Sequence, residues 1–275
     1  LVSKIHELNN YKHRVYYYGP SSKNDVSKII TNVHKVVTPF KEYPAPVEFV
    51  EQPTDVNKVF YMNYDMPQVE MMMLSKGETF DPNVLSEAYI FNQYFGAGLS
   101  SIVFQEIRES KALAYSAYSY FTTPRKKEDS HYVQAYVGSQ VDKVPLATDA
   151  MLDLMNDMPK AEGNFASAKD AALKKIETQR VSDRNVFWSY QSALKKGFDY
   201  DVNERMYSEI KEMDLDQLAA FFDANIKGRN YSFIVIGDKN KVDQSILKEL
   251  GEYKELNMED IFGYDQESDM VPVEN

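Results

Sequence analysis

The sequence predicts an α+β fold, a largely antiparallel sheet packed with helices. Three observations carry that expectation. Strand-like and helix-like stretches segregate rather than alternate strictly, with most strands before residue 140 and helical patterns from about 145 to 225. Val133, Ala135 and Val137 alternate with Tyr132, Gln134 and Tyr136, the period of a half-buried strand. Val84, Ala88, Phe91 and Phe95 recur at spacings that place them on one face of a helix. With 275 residues, 43% of them hydrophobic and 27% charged, the chain is long enough to bury such a core.

Taken in order, 58–64 and 69–74 read as paired strands joined by a turn at 65–68. Asp81 and Pro82 supply an N-cap and a first-turn proline for a helix over 82–94. A second helix runs from about Ser100 to Ser110, and strands follow at 114–121 and 131–137. Ala147, Met151, Leu154 and Met158 mark a helix that Pro159 breaks. Further helices are predicted at 164–180, 186–196, 203–212 and 215–225, and a strand at 231–236 returns to the sheet. From Tyr264 the chain is acidic and aperiodic, so 264–275 reads as a tail.

An internal echo bears on domain organisation. Residues 13–19 form a β-rich run ending in Gly19, followed by polar residues and a helical stretch around Val26, Ile29 and Ile30. Residues 229–237 end in Gly237 and are followed in the same way by Val242, Ile246 and Leu247. Both read as strand, glycine turn, helix. The pattern is common enough to arise by coincidence, and it also fits two homologous domains in tandem. In the tandem arrangement 1–37 is the last strand and helix of one domain, and 55–263 is nearly all of the next. Three prolines between Thr38 and Pro46 suit 38–54 as an extended connector. The first residue is Leu1 and no secretory apolar stretch follows, which reads as a segment of a longer chain.

A formal net charge of −11 argues against nucleic acid as the main partner, since phosphate backbones call for a clustered positive surface. The absence of cysteine excludes disulfides and thiolate metal sites and leaves the compartment open. No run of about 18 apolar residues exists to span a bilayer. The histidines are His6, His13, His34 and His131. None forms the i, i+4 pair that would aim two rings at one zinc ion, so no catalytic metal is expected in this chain. Neither a nucleophile elbow nor a phosphate loop is present.

The informative stretch runs from Tyr94 to Ser116. Gly96, Ala97 and Gly98 form a small-residue turn after one predicted helix, and Ser100 stands where it can cap the next. Phe104-Gln105-Glu106-Ile107-Arg108-Glu109 follows, then Leu113-Ala114-Tyr115-Ser116. Local physics alone is satisfied by a helix-helix corner. The run also resembles the signature of noncatalytic domains in the M16 (insulinase/pitrilysin) metallopeptidase family. That signature reads aromatic-Gly-small-Gly, a Ser-rich turn, Leu-Phe-Gln-Glu-Ile-Arg-Glu, a loop, then Leu-Ala-Tyr-Ser. The sequence departs from it at Ile102, where Arg is common, and at Ser110-Lys111-Ala112, where Lys/Arg-Gly is frequent. The order of strands and helices from about 47 to 262 is also similar.

The resemblance implies two halves of two homologous domains each, enclosing a chamber, with zinc held in the other half. It implies that 55–263 binds substrate, and that Arg108 and Tyr115, seven positions apart, reach into the shared active site. A guanidinium and a phenol suit substrate carbonyls or a developing oxyanion. It further implies that Gly96, Gly98 and Ser100 line the chamber, although the loop is shorter than the glycine-rich loop of some relatives. The expected partners are a peptide or unfolded polypeptide and a zinc-bearing half, in the same longer chain or in another subunit. The alternatives are a proteolytically inactive scaffold subunit of the same family and a self-contained peptide-binding module. A histidine-x-x-Glu-His motif upstream of Leu1 would discriminate them.

Overall fold

The computed structural model describes residues 1–36, 38–96, 98–182 and 185–263. The predicted tail at 264–275 lies outside the described residues. The chain divides into two compact units, Leu1–Val50 with Arg180–Ala193, and Glu51–Gln179 with the residues from Leu194 onward.

The first unit holds α1 (Val2–Glu7) and α2 (Lys23–Val33). Ser22 caps α2, its hydroxyl accepting from the backbone N–H of Asp25 at 3.2 Å. The helix predicted around Val26 to Ile30 is therefore present. The strand predicted at 13–19 is not, because a strand exists only as part of a ladder. Here a single bridge between Tyr11 and Lys41 is the only pairing among the described residues of the unit.

In the second unit, strands β1 (Lys58–Asn63), β2 (Gln68–Thr79), β3 (Ser116–Phe121), β4 (Ser130–Gln140), β5 (Ser232–Gly237) and β6 (Glu252–Leu256) form one sheet in the order β3-β4-β2-β5-β1-β6. The β3–β4, β4–β2 and β2–β5 pairings are antiparallel, and β1 pairs in parallel with β5 and β6. The predicted β1–β2 hairpin is corrected by this order, since β5 lies between the two strands. Two strand spacings amount to about 9.5 Å, and the four-residue link at 64–67 reaches about 13 Å, so it steps over the end of β5. The N–H of Tyr64 donates to the Gly237 carbonyl at 2.9 Å where it crosses.

Pairing registers align the buried positions in rows. Val59, Phe233, Met73, Ala135 and Ser119 make one row, and Tyr61, Val235, Met71, Val137 and Ala117 the next. Helices cover this face: α3 (Leu85–Phe91), α4 (Val144–Asn156), α5 (Glu162–Thr178), then, after α6 (Val186–Lys195), α7 (Val202–Glu212) and α8 (Leu215–Asn225). Phe91 and Phe95 stack at 4.9 Å between centroids, and Phe121 meets Phe221 edge-on at 5.2 Å. Asp81 caps the entry to the first of these helices as expected, accepting from the Asn83 N–H at 2.8 Å. That helix begins as a 3₁₀ turn at Pro82–Val84 and ends in π geometry over Asn92–Gly96. Its far end seals the outer edge of β3. Asn92 bonds both the N–H and the C=O of Phe121, at 2.8 and 3.0 Å. A Cβ on Gly96 would fall 1.8 Å from the Ser119 carbonyl oxygen. After β5 the chain turns into α9 (Gln244–Leu250) and, beyond β6, α10 (Met258–Phe262).

Candidate functional site

The segment from Ser101 to Ser116 carries Arg108 and Tyr115. The cap of its helix falls on Ser101 rather than Ser100: Ser101 is fully buried, donates to the Gly98 carbonyl at 2.9 Å, and accepts from the Phe104 N–H at 3.4 Å. Ser100 itself is exposed. The helix widens to π geometry over Phe104–Ser110 and holds Arg108 in its last turn. It stops where Ala112 takes a left-handed conformation, φ +49°. That conformation disfavours a side chain by about 1–2 kcal/mol and accounts for a glycine in the family signature at this point. The following loop is pinned to the end of β4. Ser139 Oγ donates to the Leu113 carbonyl at 2.6 Å, and the Tyr115 N–H donates to the Gly138 carbonyl at 2.8 Å. Tyr115 therefore stands just before β3, which begins at Ser116 rather than at the predicted 114.

These constraints bring the last helical turn and the strand entrance onto one cavity of about 290 Å³, lined by Arg108, Glu109, Tyr115, Gln140 and Lys143 among others. Both predicted side chains reach solvent. Arg108 is 46% exposed, with its guanidinium 4.8 Å from the Phe104 ring centroid and its Nε 3.7 Å from a Glu109 carboxylate oxygen. Tyr115 is 50% exposed. Gln140 Nε2 donates to Tyr115 Oη at 2.5 Å, which leaves the phenol's own proton for another acceptor. Lys143 Nζ donates to the Ala112 carbonyl at 2.9 Å and adds a second positive charge to the cavity wall.

Gly96, Gly98 and Ser100 are not among the residues lining this cavity. Gly96 is buried against β3, and Gly98 occupies a turn at φ +96°. Ala97 lies outside the described residues. Gln140 and Lys143 join the site from more than twenty residues downstream. Nothing local in the sequence marked them; only the antiparallel register of β3 on β4 brings them in.

A larger cavity, about 570 Å³, shares Gln140 with the first. Its walls come from Pro67 in the β1–β2 link, from Val141, Asp142, Val144 and Pro145, and from Lys241 to Asp243 with Ile246 and Leu247 of α9. Among the described residues no group of three or more His, Asp or Glu side chains is placed to hold a metal ion. His131 is buried in the sheet, with Nδ1 at 2.8 Å from the Thr122 carbonyl and Nε2 at 3.1 Å from the Asp81 N–H, so both ring nitrogens are engaged. The described residues offer no set of side chains that fits a zinc centre.

A family model described as the peptidase M16 inactive domain matches residues 14–171, more than half of the chain. The chain belongs to the M16 peptidase family, as an inactive-type domain. Solved structures agree on the fold. A peptidase M16 inactive domain from Pseudomonas fluorescens aligns with a TM-score of 0.61 at 15% identity, over 81% of this chain and 52% of that one. A protease from Helicobacter pylori gives 0.60 at 12%, over 78% and 53%. The periplasmic protease PqqL from Escherichia coli gives 0.56 at 14%, over 80% and 25%. The chain thus spans about half the length of the first two and a quarter of the third. Among curated proteins, no match is found.

Proposed function

We propose that this chain is the noncatalytic half of a zinc-dependent M16 endopeptidase. In this reading it binds a peptide or unfolded polypeptide and stabilises the transition state of cleavage, and a second half, in the same longer chain or another subunit, holds the zinc. The observation that carries the reading is the convergence of Arg108 and Tyr115, half exposed, on one cavity. The Arg108 guanidinium offers fixed, permanently charged donors to a substrate carbonyl or the oxyanion that develops from it. The Tyr115 hydroxyl adds a neutral donor, oriented by Gln140. Lys143 makes the cavity more attractive to negative charge as it develops. In this reading the metal and its activated water belong to the other half.

Arg108→Ala and Tyr115→Phe test the reading in the assembled two-half enzyme, with a peptide substrate and a chelator control. Losing one oxyanion donor typically costs about 2.7–4 kcal/mol, a factor of 10²–10³ in kcat. The same variants should leave the unfolding midpoint nearly unchanged, because an exposed cation at a helix C-terminus is worth only about 0.3–1 kcal/mol. Unchanged turnover in well-folded variants refutes the assignment.

A further inference from the structure

We propose that the 570 Å³ cavity beyond Gln140 is a side-chain subsite for the same polypeptide, accepting an apolar residue and rejecting an acidic one. This rests on the peptide-binding reading above. Gln140 lines both cavities, so they meet at one side chain, and the 3₁₀ turn Val141–Lys143 forms the ridge between them. Lys143 faces the Arg108 side of the ridge, and Val141 and Asp142 face the other. A polypeptide held by a carbonyl at Arg108 has the second compartment directly across that ridge.

The chemistry of the second compartment differs from the first. Its floor is apolar: Val144 and Leu247 are buried, and Val141 and Ile246 are partly exposed at its surface. Lys241, the one cation on its wall among the described residues, is already engaged, since its Nζ lies 2.8 Å from an Asp238 carboxylate oxygen and 3.8 Å from one of Asp65. Asp243 is committed to α9, accepting from the N–H and hydroxyl of Ser245 at 2.9 and 2.6 Å. Asp142, exposed at the rim, makes no ion pair among the described residues. The first cavity thus carries Arg108 and Lys143 against one Glu109, while the second carries surplus carboxylate around an apolar floor. An apolar side chain gains by covering that floor. An acidic one meets like charge and no free cation.

The test is binding of fluorescein-labelled, otherwise alanine- and glycine-rich peptides to the full-length enzyme by anisotropy, with a chelator present so that no cleavage intervenes. One leucine is moved through the peptide, and each position is repeated with aspartate. At one position, replacing leucine by aspartate should weaken binding about tenfold. Asp142→Asn should shrink that ratio several-fold, and Ile246→Ala should bring it below about threefold by removing the leucine's partner. A ratio equal in wild type and both variants, or no discriminating position at all, overturns the subsite. Both substituted residues reach the surface, so the comparison does not depend on rebuilding the core. Arg108→Ala serves as the separate arm. It should weaken every peptide alike and leave the ratio intact. If it changes neither binding nor turnover, the peptidase reading fails, while the ratio still judges the subsite.

Discussion

Residues 13–30 and 231–247 follow nearly the same local plan, and the molecule treats them differently. In the second region Phe233 and Val235 are fully buried, β5 is paired on both sides, and Leu247 of α9 closes the core behind it. In the first, α2 forms and is capped by Ser22, yet Val15, Tyr16 and Tyr17 stay exposed and lie outside any named strand. A helix satisfies its backbone from within. A strand depends on neighbours, and the described residues of the first unit supply almost none.

That contrast can be broken by substitution. The largest effect is expected at Phe233→Ala, about 3–5 kcal/mol of stability in a denaturant titration, because the ring leaves a cavity in a packed core. Tyr17→Ala, the matching change in the first unit, should stay within about 0.5 kcal/mol. Equal costs would mean the two strands are equally built.

The paired glycines sharpen the point. A Cβ on Gly237 would lie 3.1 Å from both Val242 Cγ2 and Val69 Cγ2, inside the core, so Gly237→Ala should cost about 1–3 kcal/mol. A Cβ on Gly19 meets only the end of the Tyr17 ring, which can swing away, so Gly19→Ala should fall within about 0.5 kcal/mol. Thermal melts of the two variants make the comparison.

The helices should differ less than the strands. Ser22→Ala should cost about 1 kcal/mol, read as lost helicity and stability, since the cap acts without tertiary support. The smallest effect is one of pH. Hydrogen bonds from Ser245 hold the Asp243 carboxyl below its ordinary range. A depressed folded value means that the cap's contribution is complete above the unfolded carboxylate pKa, about 3.9, and fades as pH falls through the lower folded value. Asp243→Asn should therefore differ most from wild type near neutrality and converge with it in acid, measured by unfolding midpoints.

Much of this architecture was legible in the residues. The alternation at 132–137 marked β4, the apolar spacing from Val84 to Phe95 marked the central helix, and Asp81 announced its start. Adjacency was not legible. The β1–β2 link looked like a hairpin because a short connection with turn residues reads the same whether it joins neighbours or steps over a strand. At the site, the Arg108/Tyr115 spacing was visible, and the Ala112 departure coincides with the left-handed residue between them. Gln140 and Lys143 were invisible, because their place depends on register across β4. Gly96 illustrates a different ambiguity. The small-residue turn was legible, but not that the space left by the missing side chain is taken by the Ser119 carbonyl.

The closed flank of β3 has one more implication. Many proteins that handle extended chains enlist them as an additional strand, which requires a row of unclaimed amides along the rim of a sheet. Asn92 has already claimed those of Phe121, and the backbone at Gly96 crowds Ser119. A guest polypeptide arriving on that flank finds no template to extend. On that flank, any grip on a polypeptide would have to come from side chains rather than from added ladder pairing.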